Sequence, residues 1–267
     1  MPVMRGYTGR VMGKSILAIH AHPDDVEILA GGTLARLSAA GHRITIVSMT
    51  PGDCGSQDHS PDEIAAIRRR EAAESARHIG AEYICAEFRD LAVFSDDPSR
   101  RRVTEILRRV RPDVVLTASP VDYMCDHETT SMLVRDACFG APAPNYRTHA
   151  PDPAPPLPAI PHLYFMDPIG GMDRDNQTVQ ADFYVDVSGF FQEKAGMLAE
   201  HKSQREWLRK HHGMDDYLAS MERYTRERGK LAGVEFAEGF RRYKGHPYPQ
   251  SLLLEELLPA SREHDIP

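Results

Sequence analysis

The sequence predicts an α/β protein, a single domain on a doubly wound, mostly parallel sheet. Two observations carry this. Apolar runs of strand length alternate with segments of helical periodicity, the order that builds parallel strands joined by right-handed crossovers. The length, 267 residues, is enough to bury one large core without a second domain.

The first strand is read over Ser15–Ala21, where Ile16, Leu17, Ala18 and Ile19 follow one another. The helix Val26–Ala40 comes next, with Ala35, Leu37 and the Ala39-Ala40 pair, and Gly41 stops it. Strands Arg43–Thr50, Glu82–Phe88 and Asp113–Ala118 then alternate with helices Pro61–Ile79 and Pro98–Arg111, the latter ended by Arg111-Pro112. A fourth helix is read over Glu128–Phe139. From Ala141 to Pro161 there are eight prolines, so neither a regular helix nor a central strand fits. This stretch reads as an ordered loop or lid over one end of the sheet, or as a plain surface excursion. Strands His162–Met166 and Asp182–Val187 and helices Phe190–Lys202 and Asp215–Lys230 follow. The domain is thus placed at 15–244, between an N-terminal tail (1–14) and a C-terminal tail (245–267). In the latter, Leu252–Leu254 and Leu257-Leu258 are expected to pack on the body or on a second subunit of a homo-oligomer.

Composition removes several function classes. A net charge of −7 and a pI near 6.0 provide no basic field for nucleic acid. The runs Arg68–Arg70 and Arg100–Arg102 lie in helical patterns and read as solvated faces. The four cysteines, Cys54, Cys85, Cys125 and Cys138, form no Cys-x-x-Cys pair, which fits a reducing cytoplasm better than a disulfide scaffold. No apolar run approaches the ~20 residues of a membrane span, and residues 1–14 lack the apolar core of a signal peptide.

The chemistry-bearing stretch is His20-Ala21-His22-Pro23-Asp24-Asp25-Val26-Glu27, at the carboxyl end of the first strand. Open α/β sheets keep their ligands there. A His and an Asp three residues apart can take two positions on a divalent metal, leaving the second Asp free to handle protons. Either Asp also suits a helix cap. A second strand end, Asp113–Ala118, runs into Asp122-Tyr123-Met124-Cys125-Asp126-His127, which again sets acids and a His at a helix start. In a parallel sheet both loops open on one edge, so His22, Asp25 and His127 can meet on one metal with a position left open, a catalytic type of zinc site.

These segments closely resemble the PIG-L/LmbE-like family of zinc-dependent N-acetylglucosamine deacetylases. The resemblance rests on Ala21–Glu27, Gly31-Gly32-Thr33-Leu34, Thr50-Pro51-Gly52-Asp53, Asp126-His127 and Phe236-Ala237-Glu238-Gly239-Phe240-Arg241. It implies a Rossmann-like fold, one zinc and hydrolysis of an N-acyl amide on an amino sugar. His22, Asp25 and His127 would be the ligands and Asp24 the general base. Asp53 and Arg68 would grip sugar hydroxyls, and Asp126 would orient a neighbouring imidazole. A zinc site lowers the pKa of its water toward ~7, and Asp24 would pass that proton to the departing amine. Two imidazoles and a carboxylate also suit ferrous iron.

One position departs from the family. Its pattern before the last ligand is His-x-Asp-His, and here Met124 stands at the first His. Met cannot donate a proton to an oxyanion or a leaving group. His246 and Tyr123 are the candidates to replace it. Met124 also motivates two rival readings: a metal-binding regulatory protein without turnover, and a hydrolase of a non-sugar amide. A nucleotide binder fails, because no Gly-x-Gly-x-x-Gly follows the first strand and acids stand where a phosphate would lie.

Other residues receive structural readings. His20 is read as packed in the core, Glu27 as bonded near the helix start, and Gly31-Gly32 as a place of close backbone approach. His201 to Gln204 is read as tying a helix end into the site wall, His42 and His211-His212 as surface residues, and Trp207 as packing.

Overall fold

The computed structural model describes residues 13–212 and 217–258. Among them it shows seven strands in one sheet, in the order β3-β2-β1-β4-β5-β7-β6. Strands β1 (Ser15–His20), β2 (Arg43–Ser48), β3 (Glu82–Cys85), β4 (Val114–Thr117) and β5 (His162–Met166) run parallel. Strand β7 (Ala237–Arg242) lies antiparallel between β5 and β6 (Phe183–Asp186). The doubly wound, mostly parallel sheet is therefore present. The sequence reading missed β7, a six-residue strand rich in charge and glycine.

The alternation of β1 explains the two layers. Ile16 and Ala18 feed one core and Leu17 and Ile19 the other, each residue fully buried. Helices α1 (Asp25–Ala39), α2 (Pro61–Arg77), α5 (Phe191–Ala199), α6 (Lys202–His212) and α7 (Tyr217–Ala232) are on the first side. Helices α3 (Asp97–Val110) and α4 (Cys125–Gly140) are on the second. The helix expected over Phe190–Lys202 is α5, ending at Ala199, and the sequence reading missed α6, which begins at Lys202. The winding reverses between β1 and β4, which is where such sheets open a crevice at their carboxyl ends.

One expectation needs correction, and two resolve between their alternatives. No residue of the proline-rich stretch lines the crevice. The stretch packs along α3, where Glu105 accepts from Thr148 and from the Ala154 N–H, and Arg108 donates to Ala141 and Ala143. His42 is not a surface residue. It is buried, accepting the Lys14 N–H, with its other nitrogen 3.4 Å from Leu257 O. The C-terminal segment packs on its own body through 258, with Tyr248, Leu254 and Leu257 buried. The 1–12 tail, the side chains of His211-His212, the first residues expected of the Asp215 helix and 259–267 lie outside the described residues.

The glycines of α1 have a physical cause. A Cβ on Gly32 would stand 2.7 Å from the Val187 side chain, and one on Gly31 3.2 Å from Lys194. Beside them lies a buried ion pair. Lys194 Nζ is 2.6 Å from Glu238 and also donates to Ile28 O, while Glu238 accepts from the Gly32 and Thr33 N–H groups. Removing one partner of such a pair strands a buried charge and costs about 3–5 kcal/mol. Glu238→Ala should therefore lower the melting temperature by roughly 6–20 °C. A thermal melt within 2 °C of wild type, about the shift of a single kcal/mol, would show the pair to be dispensable.

Candidate active site

The β1–α1 turn brings His20, His22, Asp24 and Asp25 to the crevice. Asp24 adopts φ 101°, a left-handed backbone that is costly for a non-glycine residue and is held only where its surroundings over-determine it. Several contacts do so: the Asp24 carbonyl takes the Ile28 N–H, the Tyr217 hydroxyl donates to Asp24 Oδ2, and Arg68 lies 3.8 Å from Oδ1. The Asp24 side chain makes no helix-cap bond, so the capping alternative is not what the structure shows.

His22, Asp25 and His127 converge. Asp25 Oδ2 is 3.2 Å from His22 Nδ1 and 3.4 Å from His127 Nε2, and the two nitrogens are 3.3 Å apart. Three donors on one tetrahedral zinc, with bonds near 2.0–2.1 Å, are about 3.3 Å from one another. The triangle therefore fits a divalent ion of that size. The other imidazole nitrogens face acids. His22 Nε2 is 3.0 Å from Asp90 and 3.5 Å from Asp126, and His127 Nδ1 is 2.9 Å from Asp122. Each ring thus has a carboxylate on its outer nitrogen and a lone pair turned inward, the arrangement that orients metal-binding imidazoles.

His20 is at this centre as well, not merely in the core. Its Nδ1 lies 2.7 Å from Asp25 Oδ2. That separation suits a hydrogen bond and is short for two ligands on one ion, so His20 braces Asp25 rather than completing the triangle. The electrostatics separate the two neighbouring acids. Burial pushes Asp25 up, but the His20 and His127 imidazoles and the His22 bond outweigh it and hold Asp25 well below the usual carboxylate range. Burial also pushes Asp24 up, and Arg68, His201 and Tyr217 only partly offset it, so Asp24 stays raised. Adjacent carboxyls driven apart in this way suit different tasks.

The remaining site residues are placed as follows. Asp126 accepts the Leu91 N–H at 2.8 Å and flanks His22. Arg68 is buried in the site, donating to Pro23 O at 2.9 Å, with Gly52 O at 3.4 Å. Gly52 is needed there, since a Cβ would fall 2.2 Å from the guanidinium and its φ is +71°. Asp53 does not line the cavity. Its Oδ1 accepts the Asp90 N–H at 2.9 Å, so it braces the acid that faces His22. Tyr123 lines the cavity with its ring 5.4 Å from His127, beside Met124. His246 lies away from the centre, on a separate cavity with Arg135 and Tyr248. Glu27 takes the Ser75 hydroxyl and lies 3.0 Å from His201 Nε2, so His201 ties into the site wall as expected, while Glu27 meets these side chains rather than backbone at the helix start. Sequence reasoning missed Asp90, Asp122 and Tyr217. Asp90 follows a third parallel strand end and Asp122 a fourth, a positional signal that was available. Tyr217 comes from a distant helix and carries no local signal.

The cluster opens into a cavity of about 610 Å³, closed on its far side by α6 and α7. Residues 17–138 match the family model described as PIG-L, GlcNAc-PI de-N-acetylase. This segment, which holds both loops of the cluster, is a PIG-L domain. Among the chain's relatives is a diacetylchitobiose deacetylase of Thermococcus kodakarensis, 27% identical over 85% of this chain and 82% of that protein. The solved structure of the N,N'-diacetylchitobiose deacetylase of Pyrococcus horikoshii, complexed with an inhibitor, superposes with a TM-score of 0.73 at 28% identity, covering 90% of this chain and 88% of that one. A 4-oxalmesaconate hydratase of Pseudomonas putida is 25% identical over 68% of this chain and 70% of that protein. PIG-L relatives thus include hydrolytic and hydrating enzymes.

Proposed function

We propose that this protein is a metal-dependent deacetylase that hydrolyses the N-acetyl amide of an N-acetylglucosamine-type sugar or conjugate. The observation that carries the reading is the triangle of His22, Asp25 and His127 donors beside Asp24, a buried carboxylate outside that triangle. Two imidazoles and one carboxylate suit zinc, with ferrous iron as the other candidate. When bound, the ion supplies Lewis-acid activation of a water and of the amide oxygen. Asp24 takes the proton of the attacking water as the oxygen bonds to the carbonyl carbon. It returns that proton to nitrogen as the C–N bond breaks, giving acetate and the free amine. Since Oδ2 holds the Tyr217 hydroxyl, this transfer falls to Oδ1. Arg68 fixes the Asp24 backbone and limits competing orientations of the base. With Met124 in place of the family His and His246 remote, Tyr123 is the nearer candidate to meet the oxyanion.

The experiment is amine release from N-acetylglucosamine, its short oligomers and its glycosides, with metal-loaded and chelated protein side by side. Metal-dependent release is expected. No release from any of them by fully loaded protein would end this reading.

A second reading, hydration of an unsaturated acid, has the hydratase relative in its favour. The described cavity suits it less. An acidic substrate would meet Asp24, Asp25, Asp90 and Glu227 against Arg223, while Arg68 is already turned onto backbone carbonyls. Water addition to such an acid, without amine release from any sugar, would favour it.

A further inference from the structure

We propose that the cavity beside the cluster accommodates an aryl aglycone, so that the substrate is an N-acetyl amino sugar carrying an aromatic group at its glycosidic position. This rests on the deacetylase reading for the end of the cavity that holds the cluster. What carries it is the opposite wall. Helix α7 presents Tyr217, Met221 and Tyr224 to the cavity at helical spacing, and α6 adds Trp207 and Leu208.

A tyrosine in a sugar site ordinarily offers its hydroxyl as well as its ring. Here both hydroxyls are engaged by the protein: Tyr217 donates to Asp24, and Tyr224 to Pro168 O at 3.3 Å. These side chains therefore present ring carbon to whatever occupies the cavity. Polar side chains line the cavity as well: Gln204 on α6, and Ser220, Arg223 and Glu227 on α7. Beside the cluster, Gln204 Oε1 is buried without a partner among the described residues, close to Arg68, where a sugar hydroxyl can reach it. On α7, Arg223 donates to Ser220 at 3.0 Å.

The carbon surface of Tyr217, Met221 and Tyr224 decides the ligand class. A second sugar lying against Tyr217, Met221 and Tyr224 would bury hydroxyls against carbon, at about 1–3 kcal/mol for each one left unpaired. An aromatic ring loses nothing there, and each aromatic contact adds about 0.5–1.5 kcal/mol beyond area burial. The volume, about 610 Å³, leaves room beyond a single sugar ring.

Trp207 is the chain's single tryptophan, so its fluorescence reports occupancy of this surface independently of turnover. The test titrates the metal-loaded full chain with the phenyl glycosides of N-acetylglucosamine, both anomers, against the methyl glycosides and N,N'-diacetylchitobiose, reading binding before measurable amine release. One phenyl anomer is expected to bind at least about tenfold more tightly than the methyl glycoside or the disaccharide. Met221→Gln and Leu208→Gln, made separately, should each shrink that ratio. Equal affinities for the three ligand types, or a ratio unchanged in both variants, would overturn the proposal. The two readings fail separately. Selective phenyl binding without amine release would leave the aryl site standing and remove the deacetylase reading. Amine release with no phenyl preference would do the reverse.

Discussion

Asp24→Asn should keep the bound metal and lose turnover by about a hundredfold to ten-thousandfold, the range that a positioned general base contributes. The substitution is nearly isosteric, and the Asn carbonyl can still accept the Tyr217 hydroxyl. What it removes is the ability to hold a proton. Because Asp24 stands outside the His22, Asp25 and His127 triangle, metal content should stay at the wild-type level. The paired measurement is metal stoichiometry by elemental analysis and kcat on the best amide substrate. Unchanged kcat with full metal would remove Asp24 from proton transfer. Loss of both would mean that Asp24 supports the ion instead. Substrate binding, read separately as KM or through Trp207, should change far less than kcat, since the base acts on the reacting water rather than on the sugar.

Much of this was legible in the sequence, and the limits have physical reasons. The parallel strands announced themselves because both faces of β1 and β4 are buried and each strand carries an unbroken apolar run, Ile16–Ile19 and Val114–Leu116. The convergence of His22, Asp25 and His127 followed from a rule of topology: two loops at the carboxyl ends of adjacent parallel strands must open on one edge. What could not be read was whatever depends on distant packing. Strand β7 carries Glu238, Arg241 and Arg242, a poor strand composition, and is stable there because Glu238 meets Lys194 inside the molecule. Asp53 sits where a sugar-facing acid was expected, yet the fold turns its carboxylate to the Asp90 backbone. The proline-rich stretch was rightly read as irregular, but its place along α3 depends on Glu105 and Arg108, which no local pattern points to. His246 and Tyr123 were equal candidates by sequence, and only the path of the chain beyond β7 separates them.

The sharpest test of the centre compares three imidazoles. His20, His22 and His127 all crowd Asp25, and His20, Asp25 and His127 also lie close enough together to suggest a shared ion. Geometry discriminates between the two sets. The His22 set has edges of 3.2, 3.3 and 3.4 Å, close to those of a tetrahedral zinc site, whereas the His20 set contains a 2.7 Å edge that suits a hydrogen bond. His127→Ala and His22→Ala should therefore each lower metal affinity by well over the ~10–100-fold typical of losing an outer partner, and His20→Ala by only about that smaller amount. Each ligand variant also leaves acids without their imidazole, the buried Asp122 in the His127 variant and the buried Asp126 with Asp90 in the His22 variant, so both metal-free forms should be less stable than the metal-free wild type. Competition with a chelator of known affinity gives the three constants, and thermal melts of the stripped proteins give the stability order. A His20→Ala loss as large as that of His22→Ala would move the ion to the His20 side of Asp25. Full occupancy in His127→Ala would remove the second loop from the site altogether.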